Sequence, residues 1–366
     1  MVKSIRLIAF YGMEDLKYLY FITFFFLYLI ILAMNFVIIV VIYVDRGLHE
    51  PMHLFLCNLA FNGLYGSTAL LPPLLGTLMS NTHEVSLSCC QAQIYCLQTY
   101  AIAEFTILAV MGYDRYVAIC YPLQYHSIMS FSKVCIYIAF SWLYPLLGFS
   151  IIFALTLQLM FCGKIIDKVY CINYSLIKLS CDDTSIVNIA GLASVIAYTV
   201  PQITMIVYSY AHILKVCLHS SKESQMKALR TCSPHLAAVL IYSIGLFFEI
   251  CQNRLNMNDA PYETRIFMSL YYLIFPPLLN PAIYGISIKA IRGRIFKMFH
   301  CEILVQYDFT DKGGVKDVCS GTQEFSSGPY SSGTNLQDSV DSADRAAFDK
   351  TGGGGGLAGG LSGDVT

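Results

Sequence analysis

Few residues in this chain can do polar chemistry, and the most conspicuous lie in the string "EFTILAVMGYDRYVAICYPLQYHS", residues 104 to 127. It opens on a carboxylate, Glu104, inside an apolar run, and then sets Asp114 directly beside Arg115. An arginine at a hydrocarbon boundary is costly unless paired. Taken alone, the pair reads equally as a snorkelling helix-end ion pair or as a functional switch. Glu104 lies deeper, where an ionisable group is a functional hypothesis by default. Cys90, Cys162, Cys171 and Cys181 form a second group, and four cysteines permit three pairings. Enzyme chemistry is not expected. No nucleophile–base or metal-ligand constellation stands out, and His212, His219 and His235 are too scattered for zinc, so neither a metal nor a cofactor is implied.

These residues must be positioned by helices in lipid. The chain has 366 residues, 56% hydrophobic and 13% charged, too little charge to cover a soluble protein of that length. Charge-free runs cover Tyr18–Val44, Pro51–His83, Val134–Gly163, Thr184–Leu214 and Ile266–Ile288. Each exceeds the roughly 20 residues that a helix needs to cross a bilayer. Val85–Tyr113, interrupted by Glu104, and Thr231–Phe248, which contains His235, complete seven spans. Lipid offers the backbone no partners, so the spans must be helices. With the N-terminus outside, the inner loops hold the larger share of Lys and Arg. Lys215, Lys222, Lys227 and Arg230 fall in one loop, and Lys289, Arg292, Arg294 and Lys297 follow the last span. The opening residues hold too short an apolar run for a cleavable signal, so the first span is expected to direct its own insertion.

The expected architecture is therefore an all-α membrane protein with a seven-helix bundle over residues 18–288. Residues 1–17 form an extracellular tail. A short amphipathic interfacial helix spans 289–301, with Ile288, Ile291, Ile295, Met298 and Phe299 on its apolar face. Residues 302–366, rich in Gly and Ser and acidic, read as a disordered cytoplasmic tail. The long connection from Cys162 to Asp183 contains three of the four cysteines and is expected to be folded.

The string "MGYDRYVAICYPLQY" strongly resembles the "MAYDRYVAICxPLxY" signature of odorant receptors, a branch of the rhodopsin-like (class A) G-protein-coupled receptors. "LHEPMHLFLCNLA", "KALRTCSPHL" and "PPLLNPAIYG" match that family's "LHxPMYxFLxxL", "KAxxTCxxHL" and "PPxxNPxIYG" in the correct order, over residues 18 to 300. The variants "NLAFNGLYGSTALLP" and "LQYHSIM" look most like receptors of aquatic vertebrates. The resemblance implies a small-molecule odorant, a stimulatory heterotrimeric G protein raising cyclic AMP in olfactory neurons, and membrane lipids as partners, with no nucleic acid. It implies a multi-pass location in the cell membrane.

Carried over residue by residue, Asp114 restrains Arg115 until the inner end of span six swings outward, and Arg115 with Tyr116 then meets the G protein. Tyr210 and Tyr284 would fill the vacated space, while Asn280 and Pro281 let span seven rearrange. The ligand would lie among Leu97, Gln98, Ala101, Ser194, Tyr198, Leu246, Phe247, Ile250 and Tyr272. Leu97 stands where amine-transmitter receptors carry an aspartate, which argues against such a ligand. The resemblance pairs Cys90 with Cys171 and Cys162 with Cys181, and Asn173 in "NYS" is the candidate glycosylation site. A glutamate at position 104 and an aspartate in span two can share a cation such as sodium in the family. Here Gly63 replaces that aspartate, leaving Glu104 either protonated or hydrogen-bonded to groups such as Asn35 or Asn280. The Trp-containing switch of span six is missing from "LIYSIGLFF", and Ser243 departs from the family's usual tyrosine. The rival reading is an ion channel or transporter using Glu104. An odd span count and the lack of an internal repeat weigh against it.

Overall fold

Backbone groups without water must find partners inside the chain, and here long helices supply most of them. The computed structural model describes residues 2–254 and 261–308. In chain order the helices are α1 (Lys17–Val44), α2 (Pro51–Met79), α3 (Leu87–Cys120), the short α4 (Tyr125–Ile128), α5 (Phe131–Leu157), the short α6 (Asn173–Ile177), α7 (Ser185–Leu218), α8 (Lys222–Arg254), α9 (Tyr262–Ser287) and α10 (Lys289–Asp308). Among the described residues seven helices are long and apolar enough to cross a bilayer: α1, α2, α3, α5, α7, α8 and α9. The seven expected spans are all present, several reaching well past their charge-free runs. The helix α8, for example, begins nine residues before Thr231.

Burial sorts the helices by role. In α3, 83% of the apolar window is buried, against 11% in α7. The helix bearing Glu104 and the Asp114–Arg115 pair is thus the axis of the bundle. Ile189, Ile196, Ile203 and Val207 of α7 are exposed, an apolar face suited to lipid.

Prolines interrupt five of the spanning helices, and each removes a donor from the carbonyl four residues earlier. Three of those carbonyls are met by side chains from another helix. Asn35 Nδ2 donates to Pro277 O at 2.8 Å, the acceptor freed by Pro281. Tyr144 OH donates to Ala197 O at 3.1 Å, freed by Pro201, and Gln93 Nε2 to Ala69 O at 3.3 Å, freed by Pro73. The irregular backbone therefore ties α1 to α9, α5 to α7 and α3 to α2.

The bundle is not purely helical. Strands β1 (Ser4–Leu7), β2 (Glu84–Ser86) and β3 (Ile165–Ile166) form a sheet of order β2-β1-β3. β1 pairs antiparallel with β2, Ile5 opposite Val85, and parallel with β3, Leu7 opposite Ile166. Ile5 and Leu7 are buried while Arg6 points outward to Glu84 at 2.7 Å, the alternation a strand imposes. A 3-10 segment, Ile8–Leu16, then buries Phe10 and Met13. His83, held at φ 47°, stacks on Phe10, and its ring nitrogens meet Thr77 O and Glu14 Oε1, each at 2.9 Å. Residues expected to be a simple tail are thus a built cap. A four-residue strand carries too little periodicity to be read without its partners.

After α9, Ile291 is fully buried, and Ile288, Ile295 and Met298 pack on the same core, as the amphipathic pattern of α10 predicts. The Phe299 side chain lies outside the described residues. Arg294 Nε reaches Asp45 Oδ2 at 2.5 Å. The helix continues to Asp308, past the expected boundary at 301, and the remainder of the expected disordered tail, 309–366, lies outside the described residues.

Candidate functional site

The connection between α5 and α7 forms a lid over a cavity at one end of the bundle. Cys90 at the start of α3 is disulfide-bonded to Cys171, and Cys162 to Cys181, the pairing that the motif resemblance implies. Cys171 N–H donates to Gln93 Oε1 at 2.9 Å. Further along the lid, Asp167 pairs with Arg265 of α9 at 2.8 Å. Lys168 Nζ donates to Gln252 Oε1 at 2.6 Å and to Ser269 Oγ at 2.9 Å. Burial pushes the Lys168 ammonium below its ordinary value, while nearby Glu249 and Asp167 oppose that shift. Tyr170 OH donates to Ser269 O at 3.2 Å and to Glu249 Oε2 at 3.4 Å; burial raises its phenol well above the usual range.

Beneath the lid lies a cavity of 340 Å³, bounded by α3, α5, α7, α8, α9 and the lid itself. Of the residues that the resemblance sets against a ligand, Leu97, Gln98, Ala101, Ser194, Tyr198, Leu246, Ile250 and Tyr272 line it. Phe247 does not: it is 63% exposed on the lipid side of α8. Helical spacing explains the correction, since Leu246 and Ile250 share a face four residues apart and Phe247 sits about 100° round from Leu246. The same spacing brings in two residues that the motif reading left out, Tyr242 and Glu249. Asn173, the candidate glycosylation site, starts α6, is half-buried and lines the cavity.

The cavity floor is a hydrogen-bonded tyrosine pair. Tyr242 OH donates to Ala101 O at 2.7 Å and lies 3.2 Å from Tyr272 OH, and its ring packs on Phe105. Tyr242, rather than position 243, is the aromatic residue of α8 at this depth; Ser243 is only half-buried. Glu104 is buried in a separate cluster. Asn62 Nδ2 donates to its Oε2 and Asn280 Nδ2 to its Oε1, both at 2.7 Å. The expected contact with Asn280 is present. The alternative with Asn35 is not, because Asn35 serves Ile31 O and Pro277 O. A Cβ at Gly63 would stand 2.9 Å from Asn35 Oδ1 and 3.2 Å from Pro277 Cβ. Gly63 itself supplies no second carboxylate, and the partners of Glu104 are the amides of Asn62 and Asn280.

At the other end of α3, Arg115 Nε and Nη2 donate to Asp114 Oδ2 at 3.0 and 2.5 Å, and Tyr125 OH of α4 donates to Asp114 Oδ1 at 2.8 Å. Asp114 is fully buried and Arg115 is 14% exposed, so the guanidinium is masked against its neighbour. Burial raises the Tyr125 phenol, with Asp114 adding to the shift. Tyr116 packs sideways against Tyr208 and His212 of α7. Tyr284 is buried with no hydrogen-bond partner for its hydroxyl.

His235 is the residue that the motif reading underused. Its Nε2 lies 2.8 Å from Leu108 O, so that nitrogen must donate. In the neutral ring Nδ1 then accepts from Tyr210 OH at 2.7 Å, and the two rings stack. One buried imidazole from α8 thereby holds both α3 and α7. The signal was present in "TCSPHL", where a histidine occurs within an apolar span.

Comparison with known proteins followed the same lines. A family profile described as olfactory receptor matches residues 24–302. Human olfactory receptor 52D1 is 34% identical over 292 residues, covering 79% of this chain and 92% of its own length. Mouse olfactory receptor 4E2 is 34% identical over 288 residues, covering 77% and 92%. A crystal structure of squid rhodopsin superposes with a TM-score of 0.61 over 83% of this chain and 93% of that one, at 17% identity, a likeness of fold alone.

Proposed function

Because the chain belongs to the olfactory receptor family, a receptor class rather than an enzyme class, with a rhodopsin-like multi-pass fold, we propose a specific path for its signal. A small organic odorant binds in the cavity beneath the lid. Occupancy shifts the Tyr242–Tyr272 floor, and α8 carries the change two turns inward to His235. Release of His235 from Leu108 O and Tyr210 frees the inner end of α8 and uncovers Arg115 for a stimulatory heterotrimeric G protein. The N-terminal cap faces the cell exterior and the Arg115 end faces the cytoplasm.

The observation that carries this reading is that one helix, α8, bears two separate buried polar clusters, Tyr242 against Ala101 O and Tyr272 at the cavity floor, and His235 against Leu108 O and Tyr210 two turns away. A ligand can shift a two-state element only through contacts that differ between the states, and that difference is assigned to these two clusters. The test is an odorant-dependent rise in cyclic AMP that disappears in Arg115→Ala while surface expression persists. A ligand-dependent current in cells lacking G proteins would instead establish the channel reading. Detection of an N-terminal epitope only after permeabilisation would reverse the orientation.

A further inference from the structure

Gln202 of α7 sets the chemistry at the floor of the cavity. It lines the space with Phe105 and Tyr242, and it is 6% exposed. Its Nε2 donates to Thr106 Oγ1 at 2.7 Å, and Thr106 Oγ1 in turn donates to Ile102 O at 2.7 Å. That second bond fixes which way the amide faces. A flipped Gln202 would take the Thr106 proton for itself, leaving Thr106 Oγ1 and Ile102 O as two acceptors at the same 2.7 Å. Oε1 is therefore the end of the amide left over. It is buried and has no hydrogen-bond partner among the described residues. Leaving a buried acceptor unmet costs more than an ordinary hydrogen bond gains.

Other hydroxyls of the wall have already spent their protons inside the chain. Tyr242 OH donates to Ala101 O, so the bond between the two tyrosines takes its proton from Tyr272. Ser194 Oγ donates to Gly191 O at 2.7 Å. What these groups and Gln202 still offer a ligand is lone pairs. Gln98, Tyr198 and Thr199 can donate or accept, and so favour neither kind of ligand. Glu249 in the same wall is met by Tyr170 OH and is coupled electrostatically to Lys168 of the lid. The unmet demand is thus for one neutral hydrogen-bond donor.

We propose that this receptor is tuned to odorants bearing a neutral hydroxyl, whose proton goes to Gln202 Oε1 while the carbon skeleton packs on Ile102, Phe105 and Leu246. Ketones and ethers bring only acceptors to an acceptor, and a carboxylate brings charge as well. An ammonium would surrender its hydration for a single neutral oxygen. The hydroxyl is drawn to the place where Phe105 packs on Tyr242, 5.1 Å between ring centroids, and so to the start of the signal path. The inference rests on the reading of this cavity as the odorant site.

The test uses the full chain expressed at the cell surface with a cyclic AMP readout. Matched compounds on n-alkyl and cyclohexylmethyl skeletons carry an alcohol, its methyl ether, a methyl ketone or a carboxylate. The alcohols are expected to be the most potent series. In Gln202→Met, which keeps an unbranched side chain without the amide, their half-maximal concentration should rise roughly 10- to 100-fold, the scale set by an unmet buried polar group. The ethers should change little. Thr106→Val cuts the anchor of the amide and leaves its oxygen in place. The amide can then turn its NH2 toward an ether, so the alcohol-over-ether ratio should shrink there too. Ethers or ketones as potent as the alcohols in wild type overturn the proposal, as does an alcohol preference unchanged in surface-expressed Gln202→Met. If that variant does not reach the surface, an unchanged preference in Thr106→Val overturns it equally. A response to ethers, ketones or carboxylates with the alcohols silent leaves the odorant-receptor reading standing without the hydroxyl. Silence toward all four series removes both.

Discussion

His235→Phe is the substitution that tests the signal path most directly. Phenylalanine keeps a flat ring of similar size, able to stack on Tyr210 as the imidazole does at 5.6 Å between centroids. It deletes two buried hydrogen bonds, to Leu108 O at 2.8 Å and from Tyr210 OH at 2.7 Å. Leu108 O keeps its helical donor inside α3, so the larger loss falls on the Tyr210 hydroxyl. Each bond is worth about 0.5–1.5 kcal/mol net, so the pair holds α8 inward by roughly 1–3 kcal/mol. If outward movement breaks both, their removal shifts the resting equilibrium toward the active form by about 5- to 150-fold. A receptor resting near 1% active would then be on the order of 5–60% active without ligand by population-shift arithmetic. The assay is ligand-independent cyclic AMP, normalised to receptor at the surface by an N-terminal epitope. A normalised basal signal equal to or below wild type would refute the reasoning. It would mean that the contacts of His235 persist in the active state or play no part in it.

Two further outcomes follow from the packing. Asn35→Leu leaves the Pro277 carbonyl, already deprived of its helical donor by Pro281, without a partner in a buried setting. A loss of about 1–3 kcal/mol is expected, seen as a lower melting temperature of detergent-solubilised receptor, whereas Phe247→Leu on the lipid side should leave it unchanged. The cap responds to acid. Glu84 is held below the usual carboxylate range, first by the Arg6 hydrogen bond and then by that from Ser4. A depressed folded value means that this contribution is present above the ordinary value of about 4.3 and is lost as pH falls through the folded one. Protection of the Arg6 and Leu7 amides against hydrogen exchange, taken relative to the intrinsic rate at each pH, should therefore fall below that range in wild type, and this fall should vanish in Glu84→Gln.

The sequence by itself determined the number of spans, because stretches without charge long enough to cross a bilayer are visible in composition. It also determined where the polar chemistry had to be. Glu104, Asp114, Arg115 and Asn280 stand out against an apolar background, and the motif resemblance supplied the two disulfide pairs. Tertiary structure alone decided which way each helix faces. Spans apolar on nearly every side show no preferred stripe, so adjacent positions such as Leu246 and Phe247 could not be sorted into cavity and lipid from their types. Packing put the leucine in and the phenylalanine out. The partners of Asn35, Asn62 and His235 were equally illegible, since each lies on a different helix from the group it serves, and the cap existed only once three short segments far apart in the chain met as strands. Local pattern fixes an element; the contacts between elements fix what it does.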